Sequence, residues 1–212
     1  MLLSIIKSSM QSLRLSYTQD GACFNEKIDI DLSIMRGNND EIVLIIPGVD
    51  GSLDGYLNKY RTIAEQLNSK YDAIVIRMSN PHNPMHEYNR NIFEVLKYIE
   101  EQFDMKNMKL RIVGHSLGAY MAGSVAYMFD YIDKVLMINP VTRIDWDDMR
   151  SLIERPKSSN IFLIGDKDAS YDLLKNYKQL GTVHVVRGAD HHFSDKSLDS
   201  FIDAPARYLF ES

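Results

Sequence analysis

Hydrophobic and polar positions follow two rhythms along this chain, and the rhythms take turns. Lys27 to Leu32 changes polarity at every residue, the period of a half-buried strand. That pattern predicts an extended segment over 24–34, and residues 12–17 read the same way. Glu41 to Ile46 is a continuous apolar run closed by Pro47-Gly48, as expected of a parallel strand buried on both faces. Over residues 55–68, Leu57, Tyr60, Ile63, Ala64 and Leu67 recur at helical spacing. Ala73 to Met78 is another short apolar strand. Residues 88–103 predict an amphipathic helix with Ile92, Phe93, Val95, Leu96 and Ile99 inward. Further on come a strand at 110–113, a helix at 117–129, a strand at 134–138 and a short helix around 145–153. A strand at 160–164, a helix at 170–179, a strand at 182–187 and a closing helix at 197–210 complete the series.

Strands followed by repeating helix–strand units predict an α/β fold. The expected architecture is a mostly parallel open sheet of about seven or eight strands, with helices on both faces. No repeat, low-complexity tract or Pro/Gly linker divides the chain, so residues 1–212 are expected to form one domain. Sheets of this kind bind ligands at the carboxyl ends of their strands, so the informative residues should lie just after each strand.

Composition narrows the function classes. Hydrophobic residues at 45% and charged residues at 25% describe an ordinary globular chain. The net charge of −5, with no cluster of Lys and Arg, argues against a nucleic-acid partner. Cys23 is the one cysteine, which excludes an internal disulfide and a multi-cysteine zinc site. The apolar start Leu2-Leu3-Ser4-Ile5-Ile6 has no preceding positive residue and ends at Lys7, unlike a signal peptide. No run approaches the roughly 18 apolar residues of a membrane span, and the expected location is cytoplasmic.

The strand at 110–113 runs into Gly114-His115-Ser116-Leu117-Gly118 and then a helix. This is G-x-S-x-G in a strand–turn–helix context, where a sharp turn presents the serine hydroxyl. Glycines at 114 and 118 let the helix fold back on the strand without side-chain collision. Ala119, Ala122 and Gly123 fit the same close packing. His115 adjoins the serine and is expected to point away from its hydroxyl, as a packing or supporting residue.

On these residues the chain resembles the α/β-hydrolase superfamily, from the strand near residue 41 to the last helix. The resemblance implies nucleophile, acid and histidine in that order. Ser116 is the nucleophile. The strand 161–164 leads to Gly165-Asp166-Lys167-Asp168, similar to the family's acid loop, with Asp168 at the acid position. Asp166 is the rival, with loop capping its other role, and Asp145 keeps open an acid after the preceding strand. The strand 183–186 leads to Gly188-Ala189-Asp190-His191-His192-Phe193, similar to the histidine loop, with His191 at the matching position and His192 its competitor. His184 lies within the strand. For the oxyanion hole the resemblance implies the backbone N–H groups of Leu117 and Val49. Val49 lies in the loop Pro47-Gly48-Val49-Asp50-Gly51, where Pro47 replaces a frequent histidine. Asp50 raises a question, because its charge opposes an oxyanion unless it points outward.

Only about 20 residues separate Pro140 from Asn160, room for one short helix and little or no cap. The expected pocket lining includes Asp50, His82, Val141 and Trp146. His82 and His86 are four apart, but Pro84 between them argues against a helical metal site. No metal and no cofactor is expected. The implied function is a serine hydrolase acting on a small-molecule acyl substrate, an ester or thioester, through an acyl-enzyme. Two alternatives stay open at this stage: a non-catalytic binding module on the same fold, and a peptidase or acyltransferase using the same three residues.

Overall fold

A computed structural model describes residues 10–20, 25–82, 89–142, 149 and 151–211. Strands β1 (Met10–Asp20) and β2 (Asn25–Met35) pair antiparallel from Met10↔Met35 to Asp20↔Asn25. Then follow β3 (Glu41–Ile46), helix α1 (Lys59–Tyr71), β4 (Ile74–Met78), α2 (Arg90–Gln102), β5 (Lys109–His115) and α3 (Leu117–Val125). The chain continues through β6 (Ile132–Ile138), β7 (Asn160–Gly165), α4 (Leu174–Leu180), β8 (Thr182–Val186) and α5 (Leu198–Pro205). Among the described residues eight strands form one sheet, in the order β1-β2-β4-β3-β5-β6-β7-β8. β2 runs antiparallel to β1 and β4, and every pairing from β4 to β8 is parallel. This is the α/β architecture expected from the pattern, with all eight strands in one sheet.

The continuous apolar runs have a simple cause. Successive side chains of a strand face opposite sides, and here both sides are covered. Ile42, Leu44 and Ile46 of β3 join a core with Ile92, Val95 and Ile99 of α2 and Met121 of α3. Val43 and Ile45 join a second core, against Ile63 and Leu67 of α1 and Phe201 of α5. Each such side chain, fully buried, contributes about 1.5–3 kcal/mol.

Local differences from the pattern have physical reasons. The first helix begins at Lys59 rather than 55, because Gly55, Leu57 and Asn58 all have positive φ. Leu57, placed by its spacing on the buried face, is instead 61% exposed. The helix predicted over 117–129 ends at Val125, and a 3-10 turn exposes Tyr127 and Met128. The helix predicted around 145–153 is described only at Met149 and in a 3-10 turn at Ser151–Glu154. Among the described residues no helix is long and apolar enough to cross a membrane.

The carboxyl ends of β3, β5, β6, β7 and β8 share one edge of the sheet, and the loops leaving them meet there. Close backbone approach makes this possible. A Cβ on Gly114 would stand 2.4 Å from the Gly118 carbonyl oxygen, and one on Gly118 would stand 2.3 Å from that of Ile46. Backbone cannot yield as a flexible side chain does. Gly118→Ala is therefore expected to lower stability by about 1–3 kcal/mol, seen as a lower urea midpoint at unchanged m-value.

Candidate active site

Ser116 occupies the turn between β5 and α3 with φ 57° and ψ −119°, a conformation that L-residues rarely adopt. Surrounding bonds hold it there. Its N–H donates to the Ile138 carbonyl at 2.9 Å, and its carbonyl accepts from Ala119 N–H at 3.1 Å in the first turn of α3. Gly48 lies over the serine, where a Cβ would approach the Ser116 Cβ to 3.2 Å.

The loops after β7 and β8 bring two more side chains to the hydroxyl. His191 Nε2 lies 2.9 Å from Ser116 Oγ, and His191 Nδ1 lies 2.6 Å from Asp168 Oδ2. The other carboxylate oxygen, Oδ1, accepts the Ser170 N–H at 2.8 Å. The Asp168 side chain is 6% exposed. Burial pushes its carboxyl up, but hydrogen bonds from His191 and from the Ser170 hydroxyl and N–H outweigh that and hold it at about 2. A carboxylate so placed fixes the imidazole with its proton on Nδ1, leaving Nε2 to accept from the serine hydroxyl.

The rival residues lie elsewhere. Asp166 Oδ1 accepts the Gly188 N–H at 2.6 Å, a loop-capping bond. His192 is exposed, with its ring edge toward His191. His184 stacks on Tyr208 with 4.1 Å between ring centres. His115 is buried and points away from Ser116 Oγ. Its Nε2 lies 2.8 Å from the His191 carbonyl, and its Nδ1 lies 3.0 Å from the Tyr60 hydroxyl. A carbonyl can only accept, so Nε2 carries the proton and Nδ1 accepts from Tyr60. Burial lowers the His115 pKa well below its ordinary value, and the Lys59 charge lowers it further, so the ring stays neutral.

The loop after β3 makes a turn closed by Gly51 N–H to the Gly48 carbonyl at 3.0 Å. The Val49 N–H makes no turn or loop bond to backbone among the described residues, and the Leu117 N–H, in the first turn of α3, has no partner four residues back within the helix. Asp50, at φ 53°, turns its carboxylate to the His82 N–H at 2.8 Å. That answers the question of its charge: the carboxylate is committed to the loop after β4. Asp50 is also corrected as a pocket residue. It borders a different depression, with Ser52, Asp54 and Ser79.

A cleft of about 390 Å³ opens over Ser116, Asp168 and His191. His82 and Val141, expected in the pocket, line it, together with Val49, Leu117, Pro140, Thr142 and Ala169. Trp146, His86, Asp145 and Cys23 lie outside the described residues. Among the described residues, no group of three or more His, Cys, Asp or Glu could hold a metal ion.

Sequence reasoning missed Asn80, Asn91 and Tyr17. The amide of Asn80 donates to the Pro47 carbonyl at 3.1 Å, and its N–H donates to the Gly51 carbonyl at 3.0 Å. Asn91 Nδ2 donates to Asn80 Oδ1 at 2.9 Å, and the Tyr17 hydroxyl donates to Asn91 Oδ1 at 2.7 Å. This buried chain ties the loop after β3 to β4, α2 and β1. The signal in sequence is only a polar residue on an otherwise apolar face, Asn91 beside Ile92, Val95 and Ile99.

No protein-family model matches the sequence, and none of the curated proteins does. Solved structures do match in shape. An α/β serine hydrolase without a lid from Xanthomonas campestris is 17% identical, over 94% of this chain and 96% of that one, with a TM-score of 0.65. Est1E from Butyrivibrio proteoclasticus is 16% identical over 92% and 98% of the two chains, with a TM-score of 0.65. An S-formylglutathione hydrolase from Staphylococcus aureus is 16% identical over 95% and 97%, with a TM-score of 0.63.

The depressed Asp168 pKa has a consequence for stability. A carboxyl at about 2 when folded and at an ordinary 3.8 when unfolded stabilises the folded state above the unfolded value. The contribution is lost as pH falls from 3.8 through about 2. Asp168→Asn is isosteric and does not titrate. Urea unfolding of both proteins should show a stability gap that is constant above pH 3.8 apart from other titrations, and that closes as pH falls toward 2.

Proposed function

The chain has the α/β-hydrolase fold, and from that premise we propose that it is a serine hydrolase cleaving carboxylic esters or thioesters. The observation that carries this reading is one hydrogen-bonded relay. Ser116 Oγ is 2.9 Å from His191 Nε2, and Asp168 is 2.6 Å from His191 Nδ1, at the floor of an open and mostly apolar cleft.

The chemistry follows from that geometry. Ser116 Oγ attacks the acyl carbon while His191 Nε2 takes the hydroxyl proton. The imidazolium so formed is stabilised by the Asp168 carboxylate, which remains ionised. The negative charge on the tetrahedral oxygen is received by the N–H groups of Leu117 and Val49, each worth about 3 kcal/mol of barrier. His191 then gives its proton to the departing alcohol or thiol, leaving an acyl group on Ser116. A water molecule, deprotonated by the same imidazole, reverses the sequence and releases the acid. Val49, Leu117, Pro140, Val141 and Ala169 favour an uncharged acyl or alkoxy group beside the reacting carbon. Peptidases and acyltransferases use the same relay, but no described residue favours an amide or a second acceptor.

A fluorophosphonate is expected to label Ser116, and a panel of activated esters and thioesters to be turned over. Ser116→Ala abolishes both. His191→Ala lowers kcat by about 10⁴–10⁶, and Asp168→Asn by about 10⁴, from the lost tautomer. Absence of label in the wild type, or a label that survives Ser116→Ala, overturns the reading.

A further inference from the structure

The loop that carries His191 has no ladder of its own to hold it, yet four consecutive carbonyls in it are each met by a donor. The Ala189 carbonyl accepts from Lys167 N–H at 3.0 Å, and the Asp190 carbonyl from Phe193 N–H at 3.2 Å and Asn139 Nδ2 at 3.0 Å. The His191 carbonyl accepts from His115 Nε2 at 2.8 Å and Asn139 Nδ2 at 3.2 Å. The His192 carbonyl accepts from Lys59 Nζ at 3.2 Å. Three of these donors are side chains from three separate places: the start of α1, the end of β5 and the residue after β6. All are buried, with Lys59 1% exposed, His115 5% and Asn139 0%.

From this convergence we infer that Lys59, His115 and Asn139 form a clamp on the backbone of residues 190–192 that sets the His191 imidazole between Ser116 and Asp168. The inference rests on the hydrolase reading above and names positioning residues for it.

Energetics separate the clamp from ordinary filling of space. A buried ammonium or amide is costly, and an apolar side chain of similar size fills a core more cheaply. Lys59 has no carboxylate in contact among the described residues. Its charge is met by the His192 carbonyl, by the face of Phe201, 3.9 Å from the ring centre, and at longer range by the Asp190 carboxylate. Burial pushes its pKa down to about 8. The groups are also shared between neighbours. Asn139 Oδ1 accepts the Gly165 N–H at 2.9 Å, so one amide registers the histidine loop against the end of β7, three residues before Asp168. From the other side, the Asp190 carboxylate accepts the N–H groups of His192 at 3.2 Å and Ser194 at 2.9 Å. With the carbonyls of Asp190 and His191 both held, the two peptide planes that meet at the His191 Cα are fixed, and with them the direction of its Cα–Cβ bond and the reach of Nε2. A misplacement of roughly 1 Å in such a relay costs about 100-fold in rate.

The test compares wild type with His115→Leu, Lys59→Met and the conservative His115→Gln, which keeps an N–H donor near Nε2. With an activated ester, His115→Leu and Lys59→Met are expected to lower kcat by about 10–100-fold with KM within about twofold, and His115→Gln to recover about tenfold of the loss. The fluorophosphonate labelling rate at Ser116 falls in parallel. The far-downfield proton resonance of the His191–Asp168 hydrogen bond reads the same positioning without turnover. It is expected in the wild type, shifted or exchange-broadened in His115→Leu and restored in His115→Gln. If wild type is labelled and His115→Leu and Lys59→Met are labelled at its rate, the clamp is overturned and the hydrolase reading stands. If wild type is never labelled, the hydrolase reading falls. The resonance then decides the clamp alone: absent in wild type, or unchanged in His115→Leu, it overturns it. Equal losses in His115→Gln and His115→Leu, matched by equal falls in melting temperature, also overturn it.

Discussion

Beneath Ser116 two backbones run so close that no side chain fits between them. At Gly114 the strand β5 meets the carbonyl of Gly118 in α3, and at Gly118 the helix meets the carbonyls of Ile46 and Pro47 at the end of β3. This contact fixes more than the serine. It places the N-terminal turn of α3 against the loop after β3, so Leu117 N–H and Val49 N–H belong to two segments already in register. It also makes the positive φ of Ser116 tolerable, because the strand before it and the helix after it are both anchored. The other loops are arranged around a hydroxyl whose position is set by packing of main chain on main chain.

Two buried amides brace that centre from either side. In the sheet, β4 and β6 flank the pair β3 and β5. Asn80, after β4, holds the loop after β3 through the Pro47 and Gly51 carbonyls. Asn139, after β6, holds the histidine loop and the end of β7. Each amide donates and accepts at once, which lets one side chain register two segments. The histidine side of the site adds a cation to the same device through Lys59, and the serine side a carboxylate through Asp50.

That Ser116, Asp168 and His191 each lie in a loop after an apolar strand is legible because the strands' lengths and endings are visible in the sequence, whereas choosing them over Asp166 and His192 rests on the order that the family resemblance implies. The glycines around them are legible for the same reason. Other features escape a linear reading. Leu57 has perfect helical spacing, yet the positive φ values at Gly55 and Asn58 on either side of it delay the helix and leave it exposed. Sequence leaves the direction of the Asp50 carboxylate open, and its partner, the N–H of His82, is 32 residues away in the chain. Lys59 is far in sequence from the loop it supports, and a lysine at the start of a helix carries no mark of burial. Tyr60 on its apolar face and His115 as a supporting residue are legible, but the partners they bond are not. Periodicity reports which face of an element is apolar. It does not report which distant polar groups will be folded in together.

The two bracing amides share one further property. Asn80 is followed by Pro81, and Asn139 by Pro140. Spontaneous deamidation of asparagine begins when the next residue's backbone nitrogen attacks the side-chain carbonyl, and proline has no N–H with which to do so. Conversion of either residue to aspartate would place an unpaired carboxylate in a fully buried setting and turn a donor into an acceptor facing carbonyl oxygens. The proline after each asparagine therefore closes this route to aspartate, and the donor on which each brace depends is protected by the residue that follows it.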